Sequence, residues 1–310
     1  EGVVASIEVS NRNWGVVRVG RSSTWHADDS PGVPTLMMAA EPYNHVVRLA
    51  ERGEGVELEV DLQARFLDGD PMAHNTLAEL PGTDKKGEIV MAGAHLDSWH
   101  GATGATDNAA GVAVAMEAVR ILKALGVKPR RTIRVALWAG EEQGLLGSSH
   151  YVQEHVAARA TPDDPAQKKV SPSLWKGPLT LKPEHAKLSA YFNLDNGGGK
   201  LRGIFAEENA AAAPIFAAWL APLHDLGADT VTLRKTGQTD HVPFAGAGVP
   251  GFQFIQDELD YSARTHHSNM DTVDHLEKRD LMQASVVLAT FLYHAATRPE
   301  MLPRVPVPGL

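Results

Sequence analysis

The chain contains no cysteine, which excludes disulfides and thiolate metal sites and leaves His, Asp and Glu as the side chains able to hold a metal. No apolar run approaches the roughly 20 residues that a bilayer-spanning helix needs, so no membrane partner is expected. A concentrated basic patch is also missing. The 29 Lys and Arg residues stand against 38 Asp and Glu, a formal charge of −9, and no nucleic-acid partner is expected without such a patch. There is neither an initiator methionine nor a signal peptide at Glu1, and a processed or truncated N-terminus is expected. What the chain does have is length, 310 residues, enough for one large α/β unit with an appendage.

The first 65 residues read as short β-rich stretches (3–9, 14–19, 56–62) broken by Asp, Ser, Gly and Pro, with one helix at 43–51. After Pro81-Gly82 the texture changes to strands alternating with amphipathic helices, the signature of a largely parallel sheet covered on both faces. Strands are expected at 88–94, 131–138 and 188–194, near Gly203, and around Val231 and Phe252. Helices are expected at 109–125, stopped by Gly126, and at 145–155, 210–226 and 278–296. Residues 158–187, rich in Pro, Lys and Asp, read as a surface excursion with little regular structure, and 298–310 as a Pro-rich tail. The boundary between the two parts is expected within 63–85.

Glu141 and Glu142 follow the apolar run Val135-Ala136-Leu137-Trp138 directly. Two adjacent carboxylates at the edge of a core repel one another and resist desolvation, so they call for a cation or strong donors. Other ligand-type residues fall at strand ends or in loops that reach them, which is where sites assemble in open α/β sheets. His95 ends one strand and is followed by Asp97, in position to accept the second ring N–H of a ligand histidine. Asp107 sits in Gly104-Ala105-Thr106-Asp107-Asn108-Ala109-Ala110-Gly111, where a helix N-cap is the plain alternative and a metal-bridging carboxylate the chemical one. Asp195 ends a further strand before three glycines, where it also suits a turn. His266-His267 opens a polar loop, and spacing does not choose between them. Two-metal sites hold ions roughly 3.5–4 Å apart and lower the pKa of water, with a neighbouring carboxylate to take its proton.

This series resembles the co-catalytic zinc aminopeptidase and carboxypeptidase family, and within it the carboxypeptidase Q branch with its bacterial relatives. The matching stretches are 93–99, 130–144 with its Trp-Ala-Gly-Glu-Glu-Gln-Gly, 248–251, 266–272 and 300–304. The resemblance implies an α/β fold, a mixed, mostly parallel sheet flanked by helices, with the later part of a protease-associated domain at 1–65 and a catalytic domain at 66–310. It implies two Zn2+ per chain. His95 and Asp195 would complete one site, Glu142 and His267 the other, with Asp107 bridging through a residue joined to Asn108 by a cis peptide. Glu141 would be the general base acting on a metal-bridging hydroxide, and Asp97 would orient His95. The implied activity is exopeptidase hydrolysis of short peptides or dipeptides, in an exported, periplasmic or extracellular homodimer. The rival readings are a single-zinc acyltransferase of the glutaminyl cyclase type and a non-enzymatic receptor-like domain on the same fold. Asp240 and His241, in Thr239-Asp240-His241-Val242-Pro243-Phe244, are expected either near the substrate pocket or in a structural role.

Overall fold

In a computed structural model, residues 2–20, 29–30, 32–65 and 72–306 are described. The strands are β1 (Ser6–Val9), β2 (Thr35–Met38), β3 (Thr76–Leu80), β4 (Lys85–His95), β5 (Arg131–Trp138), β6 (Ala157–Ala158), β7 (Thr180–Leu181), β8 (Leu188–Asn193), β9 (Leu201–Phe205), β10 (Thr230–Thr232) and β11 (Gly251–Gln256). The α-helices are α1 (Ala40–Glu51), α2 (Ala110–Ala124), α3 (Leu146–Tyr151), α4 (Pro165–Lys168), α5 (Ala213–Leu220), α6 (His241–Gly246) and α7 (Lys278–Thr297).

Seven strands form the central sheet in the order β10-β9-β11-β8-β4-β5-β3. The four pairings β10–β9, β11–β8, β8–β4 and β4–β5 are parallel, whereas β9–β11 and β5–β3 are antiparallel. The mixed, mostly parallel sheet expected from the sequence is therefore present. Its centre is buried on both faces, and the strand period of two divides the apolar residues between them. Val90, Ala92, Ile133, Val135 and Leu137 join the core that holds α2 and α7, while Ile89, Met91, Ala136 and Trp138 join the opposite core with Tyr151, Tyr191 and Phe244. Helix α2 is stopped at Gly126, which has φ 68°.

The structure differs from the sequence reading in four places. Residues 56–62 form no strand, and their apolar side chains Val56, Leu58, Val60 and Leu62 are exposed. Alternation of polar and apolar residues there finds no partner strand among the described residues to bury the apolar face. Residues 14–19 make only a single bridge, Arg18 with Ser268. Strand β3 lies inside the 63–85 stretch, where only a boundary is expected and no strand is read from the sequence; its antiparallel pairing with β5 on the sheet edge supplies what the propensity of Ala-Glu-Leu lacks. The expected helices at 145–155 and 210–226 are each broken in two, α3 giving way to a π turn at Val152–Val156 and α5 to a 3-10 turn at Ala221–Leu226. The 158–187 excursion contains only short pieces, as expected. The expected boundary between residues 65 and 66 abuts residues 66–71, which lie outside the described residues.

Candidate metal centre

The C-terminal ends of β4, β5 and β8 lie side by side in parallel register, His95 opposite Trp138 and Gly93 opposite Asn193. This places His95 at one strand end, Glu141 and Glu142 just past a second, and Asp195 just past a third. Asp107 arrives from the turn before α2. Its peptide bond to Asn108 is cis, and Asn108 is tied down by a bond from its Nδ2 to the Leu194 carbonyl at 2.9 Å. Gly111 lets α2 approach this turn, since a Cβ there would lie 2.3 Å from Asn108 Oδ1 and 2.4 Å from the Leu194 carbonyl oxygen. Asp271 accepts from the Thr106 N–H at 2.6 Å and the Asp107 N–H at 3.1 Å, fixing the same turn from the other side.

Asp107 is the hub. Its Oδ1 lies 3.2 Å from His95 Nε2, which is also 3.4 Å from Asp195 Oδ1. Its Oδ2 lies 3.3 Å from His267 Nε2, which is also 3.0 Å from Glu142 Oε2. His266 Nε2 is farther, at 4.0 Å. His267 adopts φ 58°, a left-handed conformation seldom seen away from glycine, and its ring lies 3.8 Å from that of His266 at 45°. Donor atoms of His95, Asp107 and Glu142 also fall within 4.8 Å of one another.

Three observations test this cluster against a metal. Zinc–ligand distances of about 2.0–2.2 Å in tetrahedral geometry put ligand atoms roughly 3.3–3.6 Å apart, close to the separations around Asp107. Asp107 Oδ2 and Glu142 Oε1 are buried without a hydrogen-bond partner among the described residues. His95 Nδ1 is 2.9 Å from the Asp97 carbonyl, which fixes a proton on that nitrogen and leaves Nε2 facing two carboxylates. That face calls for positive charge, as a metal ion or, without one, as a second proton on the ring. No Lys or Arg forms an ion pair with Asp107, Glu142 or Asp195 among the described residues. The donor set fits zinc.

The electrostatics say the same. Burial pushes the Asp107 carboxyl up to about 6, against the pull of His95. Burial and then the charge of Asp195 push Glu141 up to about 10. Burial alone would depress His95, but the charge of Asp195 and side-chain hydrogen bonds with Asp107, Asp195 and Asp97 carry it well above the ordinary histidine range. A divalent cation reverses this logic by stabilising the charged carboxylates.

The contact expected from Asp97 to His95 is made chiefly by its main-chain carbonyl. The Asp97 carboxylate, 3.6 Å from His95 Nδ1, instead accepts the N–H groups of Glu141 and Glu142, each at 3.1 Å. It thereby holds the two glutamates in their turn.

Behind Asp195 runs a buried chain of hydrogen bonds with one polarity. Trp138 Nε1 donates to Tyr191 Oη at 2.8 Å, Tyr191 donates to Asn193 Oδ1 at 2.6 Å, and Asn193 Nδ2 donates to Thr239 Oγ1 at 2.8 Å. Thr239 spends its single proton on Asp195 Oδ2. Because Trp is only a donor, the direction of every later bond is set, and Asp195 is left with Oδ1 free to face His95. Sequence reasoning missed Thr239 and Asn193, and also Asp271, although the last lies inside the 266–272 stretch that carried the resemblance.

The cluster opens into a cleft of about 950 Å³ whose walls include Arg18, Leu145, Leu174, Phe205, Gln238 and Tyr261. Asp240 and His241 are not among the residues lining this cleft. Asp240 is fully buried and accepts from Ser148 Oγ. His241 faces a separate cavity of about 550 Å³ and lies 3.6 Å from Glu207.

Comparison with known proteins agrees with this geometry. The model of Peptidase family M28 matches residues 75–292, well over half of the chain. The chain belongs to peptidase family M28. Among M28-type relatives, carboxypeptidase Q of Rattus norvegicus is 29% identical over 303 residues, covering 98% of this chain and 58% of its own length. Aminopeptidase YwaD of Bacillus subtilis (strain 168) is 29% identical over 220 residues, 70% of this chain and 43% of that protein. The chain thus spans a little over half the length of the carboxypeptidase Q sequences it matches. Among solved structures, a peptidase M28 precursor from Shewanella amazonensis SB2B superposes with a TM-score of 0.73 at 26% identity, covering 99% of this chain and 63% of that one. BSAP, a zinc aminopeptidase from Bacillus subtilis, shares the fold at TM-score 0.63 and 22% identity, covering 96% and 65%.

Proposed function

We propose that this chain is the catalytic part of a zinc-dependent exopeptidase that hydrolyses the terminal bond of short peptides. The observation that carries the reading is the division of Asp107, one oxygen beside His95 and Asp195, the other beside His267 and Glu142. That division supports two zinc ions per chain, His95 and Asp195 holding one, Glu142 and His267 the other, with Asp107 shared.

Bound zinc would polarise the scissile carbonyl and lower the pKa of water. Glu141, at the cleft wall and fixed through its N–H to Asp97, accepts the proton of the attacking water. The water oxygen bonds to the carbonyl carbon, the C–N bond breaks, and Glu141 returns the proton to the departing amine. Asp97 keeps Glu141 and Glu142 at fixed positions so that one holds metal while the other stays free.

The complete set of ligand residues favours an enzyme over a receptor-like domain. Residues 1–65 are read as the later part of a protease-associated domain, and the assembly as an exported homodimer. No helix among the described residues is long and apolar enough to cross a membrane. The test is direct. Protein loaded with zinc should release free amino acid from a dipeptide panel, lose that activity to a chelator and regain it with zinc. No release from any dipeptide would contradict the reading.

A further inference from the structure

The only Lys or Arg side chain among the described residues that line the metal cleft is Arg18, and it comes from the N-terminal segment. Its place is fixed by main-chain bonds to the loop that carries His267. The Val19 N–H donates to the His267 carbonyl at 2.7 Å, the Asn269 N–H to the Val17 carbonyl at 3.0 Å, and the Val17 N–H to Asn269 Oδ1 at 2.8 Å. Arg18 itself bridges to Ser268, the residue after His267. A second anchor holds its main chain, because the Arg18 N–H donates to Ser10 Oγ at 3.1 Å while Ser10 Oγ donates to the Val16 carbonyl at 2.8 Å.

For all this anchoring of its backbone, Arg18 Nε is buried without a hydrogen-bond partner among the described residues. Arg12 Nε is likewise buried and unpaired. The two cations sense each other, since burial and then the charge of Arg18 hold the Arg12 guanidinium below its ordinary pKa. A guanidinium with a buried, unpaired N–H at the wall of a cleft is placed to receive an anion that enters it. Arginine presents a planar fork that matches a carboxylate in bidentate fashion.

We propose that Arg18 binds the free α-carboxylate of the substrate, making the cleft selective for peptides cut at their C-terminal bond, dipeptides included. The inference rests on the peptidase reading above. Its geometric basis is position: Arg18 lines the same cleft as Glu141 and His267, and its main chain is tied to the loop that carries His267. The carboxylate of a last residue lies one peptide unit, about 3.8 Å, beyond the scissile carbonyl. A cation on that wall is placed to meet it when the bond over the ligand cluster is the last one.

The test compares zinc-loaded wild type with Arg18→Ala, Arg18→Gln and Arg18→Lys on a dipeptide panel, each member supplied as free acid and as C-terminal amide. Wild type should favour the acid. Arg18→Ala and Arg18→Gln should lose roughly 10- to 150-fold in kcat/KM on the acid, the range for a hydrogen bond to a charged group, with the amide little changed. Arg18→Lys should recover part of the loss, and unchanged amide turnover shows that the variants fold. Equal losses on acid and amide, or a wild type indifferent to amidation, would overturn the assignment. Calorimetric binding of acid and amide to Glu141→Gln protein separates this proposal from the reading beneath it. If no peptide is cleaved the peptidase reading fails, and acid-over-amide binding that disappears in the Arg18→Ala background still decides the role of Arg18.

Discussion

His267 Nε2 and Asp107 Oδ2 lie 3.3 Å apart, although one belongs to the loop after β11 and the other to the turn before α2. The opposite oxygen of Asp107 serves His95. A carboxylate shared between two histidines in this way, with no Lys or Arg ion-paired to it among the described residues, is the pivot of the proposed two-metal site.

Replacing Glu141 with Gln should leave zinc content unchanged and lower kcat by about 10²–10⁴-fold, the usual contribution of a general base. Metal analysis of the purified variant beside its turnover checks this. Parallel loss of zinc would place Glu141 among the ligands instead.

Thr239 donates to Asp195 Oδ2, so its influence on the proposed metal site runs through Asp195. Thr239→Val should weaken zinc binding at the His95 and Asp195 side by about 10–100-fold, as loss of a partner to a metal ligand does, and Thr239→Ser should restore it. Competition against a zinc-binding dye reads this without any substrate.

How much of this was legible beforehand follows from which forces leave a mark in the sequence. Strands β4, β5 and β8 show as apolar runs, and the charged residues at their ends stand out because a core edge tolerates carboxylates poorly. His95, Glu142 and Asp195 therefore stood out at strand ends, whereas the bridging place of Asp107 and the choice of His267 over His266 came from the family resemblance; the structure brings all five together. Thr239 and Asn193 could not, because a Thr and an Asn carry no signal until the sheet register aligns them behind Asp195. Arg18 was hidden for another reason. Its segment reads as strand, but it is held by the His267 loop, a contact between distant parts of the chain.

Glu207 offers a pH test away from the metals. Burial pushes its carboxyl up to about 7, so the folded state binds a proton that the unfolded state has already released above about 4.3. Stability from this group is present at low pH and lost as pH rises through about 7. His241, 3.6 Å away and held down to about 4 by burial, works in the opposite sense between about 4 and 6.5, and the Lys235–Glu208 pair sits nearby. Comparing Glu207→Gln with wild type, each also in a His241→Gln background, separates Glu207 from its contacting neighbour. The Tm of the variant should gain on wild type between about pH 4.5 and 7 and run parallel above that. A constant difference across the range would contradict the raised value.

Gly111→Ala should destabilise the fold by about 1–3 kcal/mol, the usual cost of overpacking, since the added Cβ meets Asn108 Oδ1 and the Leu194 carbonyl. Thermal unfolding checks this. Because the same contact positions Asp107, zinc affinity should fall with it.

The most direct measurement is anomalous diffraction at the zinc edge from crystals of metal-loaded protein. Two peaks are expected, roughly 3.5–4 Å apart, one between His95 and Asp195, the other between His267 and Glu142, with Asp107 touching both. A map with no peak beside Asp107, or with a single ion that leaves either histidine unbound, would contradict the two-metal account.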